Sequence, residues 1–291
     1  MRVRLRSPER QQGSIAVGFI RIPTEQLNGG LPYPAASEPP RNALLRSLPV
    51  DEFSRLFPVL DRVTLVSRRV LQHAGLPIEH LFFIEEGLVS VLAKVDDRNA
   101  AEVGLIGRDG VVGGTVLLGG EISELTHFVQ IGGSALRLSV EDLNRLAPEL
   151  PCLGQALKGY LHVSLMQSSQ SAACSLRHAL LPRLARWLLM AHDRSDLDRL
   201  PVTQDLLARS LGVRRPTVSC AFKDLEQRGI FAKDRGVIRI KDRPSLERIA
   251  CRCYRLMCAQ ADKWDMSKVK RKLLIALSAF CAAAEVEILA G

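Results

Sequence analysis

The chain has 291 residues, 47% of them hydrophobic and 24% charged, with a formal net charge of +9. That length suits two modest domains able to bury their own cores without disulfides or metal, and seven irregularly spaced cysteines speak against a secreted disulfide framework and for a reducing cytosol. No apolar run reaches the roughly 18 residues of a spanning helix, and the short run Ser14 to Ile20 has no convincing cleavage site, so neither a membrane protein nor a signal peptide is expected.

Residues 1–41 mix arginine, glycine and proline with little periodicity and read as a disordered arm. A short helix is expected from Val50 to Leu60. The texture then becomes that of strands: Leu65-Val66, Val70-Leu71, Leu81 to Ile84, Leu88 to Leu92, Glu102 to Ile106, Val111-Val112 and His127 to Ile131 are short apolar or alternating runs. Turn signals separate them at Gly75, Glu86-Gly87, Asp96-Asp97, Arg108-Asp109-Gly110 and Gly132-Gly133. Many short strands at such spacing predict a barrel or jelly roll over 42–150, closed by a short helix that Ser139 and Asp142 open.

Pro151 suits the first position of a longer helix, expected over 151–174. Leu153, Leu157, Tyr160 or Leu161, and Ser164 recur at spacings of three and four. Such a stripe suits either a seam between two subunits or the side that packs on the barrel. The seam is favoured, because a helix-turn-helix protein gains affinity by binding two half-sites through a two-fold axis. A further helix from Leu180 to His192, carrying Leu184, Trp187, Leu188 and Met190, should pack beneath the helices that begin at Thr203.

Thr203 to Val218 reads as two short helices around a turn. Thr203 can cap the first, Asp205 complements its exposed N–H groups, and Gly212 ends it in a conformation that a side chain would oppose. In the second, Val218, Ala221, Phe222 and Leu225 form one apolar stripe and leave Arg215, Ser219, Cys220 and Lys223 on the outer faces. Gly229 closes it, and two alternating runs around Asp234-Arg235-Gly236 make a hairpin. This is a winged helix-turn-helix, expected over 175–256, and double-stranded DNA is its natural partner. Charge agrees: segments 1–174, 175–256 and 257–291 carry net charges of −1, +9 and +1, so the whole excess lies where phosphates would be neutralised.

An α-helix fits the major groove and reads base edges with its N-terminal outer side chains. Arg215 is the leading base reader, with Pro216, Ser219 and Cys220 on the same face. Thr203, Arg214, Thr217 and Lys223, with Lys233 and Arg235 on the wing, are expected at phosphates, which position the protein without specifying sequence.

With this order laid out, the chain from about Asn42 to Leu256 resembles the Crp/Fnr family of bacterial transcription factors. The resemblance rests on Leu81-Phe82-Phe83-Ile84-Glu85-Glu86-Gly87, on Gly107-Arg108-Asp109-Gly110-Val111-Val112-Gly113, on the long helix, on Arg183 to Leu189 and on the helix-turn-helix. It implies an α+β chain: a cyclic-nucleotide-binding-like β-roll (jelly roll) that senses a signal, a long dimerisation helix, and a C-terminal winged domain that binds a palindromic operator as a homodimer. An activator of this type would also contact RNA polymerase.

Departures from the family pattern are informative. Where members that bind cyclic nucleotides carry a glutamate for the ribose and an arginine beside a serine or threonine for the phosphate, this chain has Gly114 after Gly113, and about Leu125-Thr126. A buried phosphate without its arginine loses a charge-assisted pair, so cyclic AMP is not expected, and the effector is left unassigned. No cysteine precedes Cys152, which removes the iron–sulfur mechanism of the oxygen sensors, and nothing marks His73, His80 or His127 as haem ligands. At the three usual base-reading places, here Arg215, Pro216 and Cys220, only the first is standard, so the half-site should differ from the best-known ones.

Cys220 is read as a small side chain chosen for shape. Cys251-Arg252-Cys253, with Cys258 further on, does not have the spacing of a standard zinc module, so no metal and no cofactor are assigned. Residues 257–291 form an extension of unknown role. There is no G-x-S-x-G, Walker lysine loop or H-E-x-x-H, so no enzyme is expected. The rival reading is a ligand- or partner-binding β-roll protein whose basic domain binds nucleic acid non-specifically.

Overall fold

The computed structural model describes residues 39–263 apart from 97–99, 196–198 and 235. The expected arm and most of the C-terminal extension therefore lie outside the described residues, as does the wing's Arg235. Two short helices, α1 (Ala43–Arg46) and α2 (Val50–Leu56, continued by a 3-10 turn at Phe57–Val59), precede six strands: β1 (Asp61–Leu65), β2 (Val70–Gln72), β3 (His80–Lys94), β4 (Ala100–Ile106), β5 (Val111–Val112) and β6 (Thr126–Ser139). They pair antiparallel in the order β1-β6-β3-β4, with β2 on β6 and β5 on β3. The helices α3 (Val140–Leu146) and α4 (Pro151–Arg177) follow.

Two expected turns lie inside long strands. Glu86-Gly87 falls within β3 and Gly132-Gly133 within β6, and the register between them shifts repeatedly around Glu86 and Leu88. These glycines let two backbones nearly touch at a bulge: a Cβ on Gly133 would lie 2.2 Å from the Glu86 carbonyl oxygen, and one on Gly87 would lie 2.5 Å from that of Ile131. Glycine therefore marks close approach here, a role that short-range sequence reading does not separate from a turn.

The apolar run at the start of β3 is buried on both faces. Leu81 and Phe83 join Leu136 and Leu138 in a core roofed by Leu45, Leu56, Leu143, Leu146, Leu153 and Leu157 from the helices. Phe82 and Ile84 face the other way, into the roll, with Val63, Leu65, Val89, Ile106 and Val129. The long helix has no side-chain cap of its own. Instead, buried Glu52 of α2 accepts the backbone N–H groups of Cys152 and Leu153 at 2.9 and 3.0 Å, placing a carboxylate at the positive end of the helix dipole.

After α4 come α5 (Leu180–Ser195), β7 (Arg199–Leu200), α6 (Gln204–Leu211), α7 (Arg215–Gln227), the hairpin β8 (Phe231–Asp234) and β9 (Val237–Ile240), then α8 (Arg243–Ile249) and α9 (Cys253–Lys263). β7 adds a third strand to the hairpin, in the order β7-β9-β8. Leu184, Trp187, Leu188 and Met190 of α5 lie beneath the helix-turn-helix in a core shared with Val218, Phe222, Leu225, Phe231 and Ile238. Leu88, Leu105 and Ile131 of the roll belong to the same cluster, so the two halves share apolar surface.

Candidate nucleic-acid interface

The helix-turn-helix is built by local chemistry. Thr203 Oγ1 accepts the Leu206 N–H at 3.3 Å, and Gly212 ends α6 at φ 64. Arg214 is the N-cap residue of α7 and Arg215 its first residue, with Pro216 next, where a missing N–H costs nothing. Val218, Phe222 and Leu225 are buried, Ala221 is half-buried, and the Phe222 ring meets Phe231 of the hairpin edge-on at 5.0 Å. Replacing Thr203 by alanine is expected to cost about 1 kcal/mol of stability, a fall in Tm that thermal unfolding of the full chain would read.

The opposite face of α7 is open. Arg214, Arg215, Pro216, Thr217, Cys220 and Lys223 are exposed, as is Lys233 on β8, while Thr203 is half-buried by its capping role. Ser219 is half-buried, and its hydroxyl lies 2.8 Å from Gln204 Oε1 and 3.2 Å from the Arg215 carbonyl oxygen. Arg215 Nε lies 3.2 Å from Asp205 Oδ1, both side chains largely exposed. Such a pair contributes little to stability and leaves the guanidinium free to exchange partners.

A contact that sequence reading missed joins this unit to the roll. Glu102 of β4 turns its carboxylate toward α5 and α6, where Trp187 Nε1 donates to Oε1 at 2.6 Å and the Ser210 hydroxyl to Oε2 at 2.7 Å. The Ser90 hydroxyl of β3 is 2.8 Å from the same Oε2. Part of Glu102 reaches the surface, but its carboxyl group is enclosed, and this desolvation pushes its pKa up against the opposing pull of the three donors and Arg186. Nearby, Gly107 allows close contact with α5, since a Cβ there would lie 2.5 Å from Arg194 Cβ. Arg194 Nε lies 3.1 Å from Asp109 Oδ2. An acidic residue in an alternating strand looks solvent-facing; only its placement against another domain reveals its role.

The expected seam on α4 needs correction. Leu153 and Leu157 are 1% and 0% exposed within their own chain, and Tyr160 packs on the same core. Leu161 reaches Gly114, whose Cβ would lie 3.4 Å from Leu161 Cδ2, and Ser164 bonds to Tyr160. Leu153 and Leu157 thus pack on the roll, the alternative to a seam, because the β-roll offers an apolar face directly beneath them, while Leu161 and Ser164 are half-buried. Exposed positions on the other side of α4 are Gln155, Lys158, His162, Leu165, Ser169, Ala172 and Leu176, again spaced by three and four.

In the loop that the family resemblance aligns with a cyclic-nucleotide site, Gly113 is left-handed at φ 85, and Gly114 is buried at the start of a 3-10 turn, Gly114–Leu118. Leu125 and Thr126 are half-buried, and Thr126 Oγ1 accepts the Ala74 N–H at 3.3 Å. Of the histidines, His127 is buried, which lowers its pKa to about 4 and keeps it neutral at neutral pH.

The fold and this surface are those of a winged helix-turn-helix domain joined to an N-terminal β-roll. Residues 182–249 match the family described as the Crp-like helix-turn-helix domain. No curated protein matches the chain. Among solved structures, the c-di-GMP-responsive global regulator CLP of Xanthomonas campestris is 20% identical over 66% of this chain and 99% of its own, with a TM-score of 0.55. FixK2 of Bradyrhizobium japonicum is 18% identical over 66% and 98%, TM-score 0.58. A CRP-family transcriptional regulator of Thermus thermophilus is 20% identical over 64% and 95%, TM-score 0.53. The chain therefore carries a Crp-like helix-turn-helix domain and shares the overall fold of these solved structures. Among the described residues no helix is long and apolar enough to cross a membrane.

Proposed function

We propose that the chain is a sequence-specific transcription regulator that binds a palindromic operator as a homodimer, under the control of an unidentified signal at the β-roll. The observation that carries this reading is the open N-terminal face of α7, where Arg215 stands exposed with Pro216 and Cys220 beside it. Arg215 reads a base edge, with Pro216, Ser219 and Cys220 lining the contact, while Thr203, Arg214, Thr217, Lys223, Lys233 and Arg235 hold phosphates. The sensor spans 42–150, the long helix 151–174 and the DNA-binding domain 175–256. Pairing uses the outward stripe of α4, where Leu165 and Leu176 are 62% and 84% exposed, apolar surface that a second copy would cover. A signal that changes the roll reaches the reading helix through Glu102 and the shared apolar core. The site is cytoplasmic, and an activator would meet RNA polymerase beside the operator.

The test is selection of genomic fragments by purified protein at two salt concentrations, with and without cyclic AMP, beside sedimentation of the native chain and Leu165→Glu. The expected result is one shared palindrome, indifference to cyclic AMP, and a dimer that Leu165→Glu dissociates. Salt-sensitive binding without a motif would instead make the basic domain a general nucleic-acid surface and would end the regulator reading.

A further inference from the structure

The cysteines near the C-terminal end gain a meaning in three dimensions that their spacing does not carry. Cys251 and Cys253 flank Arg252 just before and at the start of α9, and the end of α4 brings Cys174 and His178 against them. One ligand atom from each of the four lies within 4.8 Å of all the others. Cys174 Sγ and Cys251 Sγ are 3.4 Å apart, and Cys253 Sγ is 3.6 Å from His178 Nδ1. Zinc with thiolates at about 2.3 Å and imidazole at about 2.0–2.1 Å sets its tetrahedral ligands roughly 3.5–3.8 Å apart, so the cluster needs only small shifts to close on an ion.

We propose that Cys174, His178, Cys251 and Cys253 form a structural zinc site that pins the last helix of the DNA-binding domain to the end of the long helix. This goes beyond the regulator reading and does not depend on it. The three cysteines are 0%, 8% and 2% exposed and make a small cluster of their own, while exposed His178 leaves an entry path. Zinc with three thiolates and one neutral imidazole carries one net negative charge, and the surroundings are prepared for it. Arg186 is buried at 6% exposure and hydrogen-bonds to Ser171 Oγ and the Met190 and Met257 sulfurs, with its Nε unpartnered. Among the described residues no carboxylate hydrogen-bonds to it, and its field falls on Cys174 as well as on the Glu102 carboxyl group. A buried cation among thioethers is costly unless an anion stands near. Outside the four ligands, Gln170 Nε2 donates to Cys253 Sγ at 3.1 Å, as a supporting donor does at a thiolate.

The ligand variants should fold without metal, because α9 has a second anchor: Tyr254 Oη is 2.8 Å from Asp193 Oδ2, and Arg243 pairs with Asp193 at 2.7 Å. The experiment is elemental analysis of the untagged full chain purified under reducing, chelator-free conditions, beside Cys174→Ser, Cys253→Ser and His178→Ala, with circular dichroism as the folding control. About one zinc per native chain is expected, falling at least tenfold in both serine variants with helicity kept. Cobalt added to metal-stripped native protein should give the visible bands of a tetrahedral thiolate site, lost in Cys253→Ser. Native protein with reduced thiols that holds no zinc and gives no cobalt bands would overturn the assignment. So would zinc retained in both serine variants, an iron–sulfur cluster in its place, or a Cys174–Cys251 disulfide that forms in air and gives no cobalt bands after reduction.

Discussion

Replacing Arg215 by alanine is expected to weaken binding to the selected operator by about 1–3 kcal/mol, roughly 5–150-fold in Kd, and to leave binding to a scrambled duplex nearly unchanged. The reason is geometric. Arg215 is the first residue of α7 and its side chain is exposed, in a helix whose other face is locked into the domain by Val218, Phe222 and Leu225. Its pairing with Asp205 is the contact the guanidinium must give up, and an exposed ion pair gives up little. Lys223→Ala supplies the contrast, because loss of a phosphate contact should weaken both duplexes alike and reduce the slope of log K against log salt by about 1. Fluorescence anisotropy on both duplexes across a salt series separates these outcomes. Equal losses on the two duplexes for Arg215→Ala would place that side chain on the backbone and move base reading elsewhere.

The second large effect is expected at Glu102. Truncation to alanine leaves the Trp187 indole N–H and the Ser210 hydroxyl facing each other without their shared acceptor, at about 1–3 kcal/mol for each donor left unsatisfied. A combined loss of about 2–6 kcal/mol corresponds to roughly 5–20 °C in Tm. Glutamine keeps an acceptor and removes the titration, so Glu102→Gln should fall well short of that loss. The pH dependence has a definite sign. Enclosure raises the carboxyl pKa above its ordinary value, so the folded, docked state holds the proton more tightly than the unfolded chain. This group's contribution is therefore complete below the ordinary carboxylate pKa and declines as pH rises through the raised one. Thermal unfolding between pH 4 and 8 should show that decline in the native chain and a flatter profile in Glu102→Gln. Identical profiles would show that the carboxylate does not couple the two halves.

Elements whose signals are local were legible residue by residue. Thr203, Gly212 and the stripe Val218-Ala221-Phe222-Leu225 specify α6, the turn and α7 within a few residues of one another, because capping, left-handed turns and helical periodicity are short-range effects. Reading failed where two distant segments decide the meaning of a residue. Glycine at 87, 132 and 133 signalled turns, yet serves the close crossing of β3 and β6. The stripe through Leu153 and Leu157 had the period of a seam, and period alone does not say whether a second chain or the protein's own roll covers it.

From the sequence alone came the order of roll, long helix and winged domain, the location of the positive charge, and Arg215 as the candidate reader, all carried by composition and short-range pattern. Three things were decided only in the tertiary structure: which face of α4 remains open, where Glu102 spends its carboxylate, and that Cys174 and His178 meet Cys251 and Cys253. Each depends on packing between segments that are distant along the chain, 77 residues apart for Cys174 and Cys251 and 85 for Glu102 and Trp187. Chain connectivity fixes what a residue is next to along the backbone, whereas burial of apolar surface and satisfaction of polar groups choose its neighbours in space.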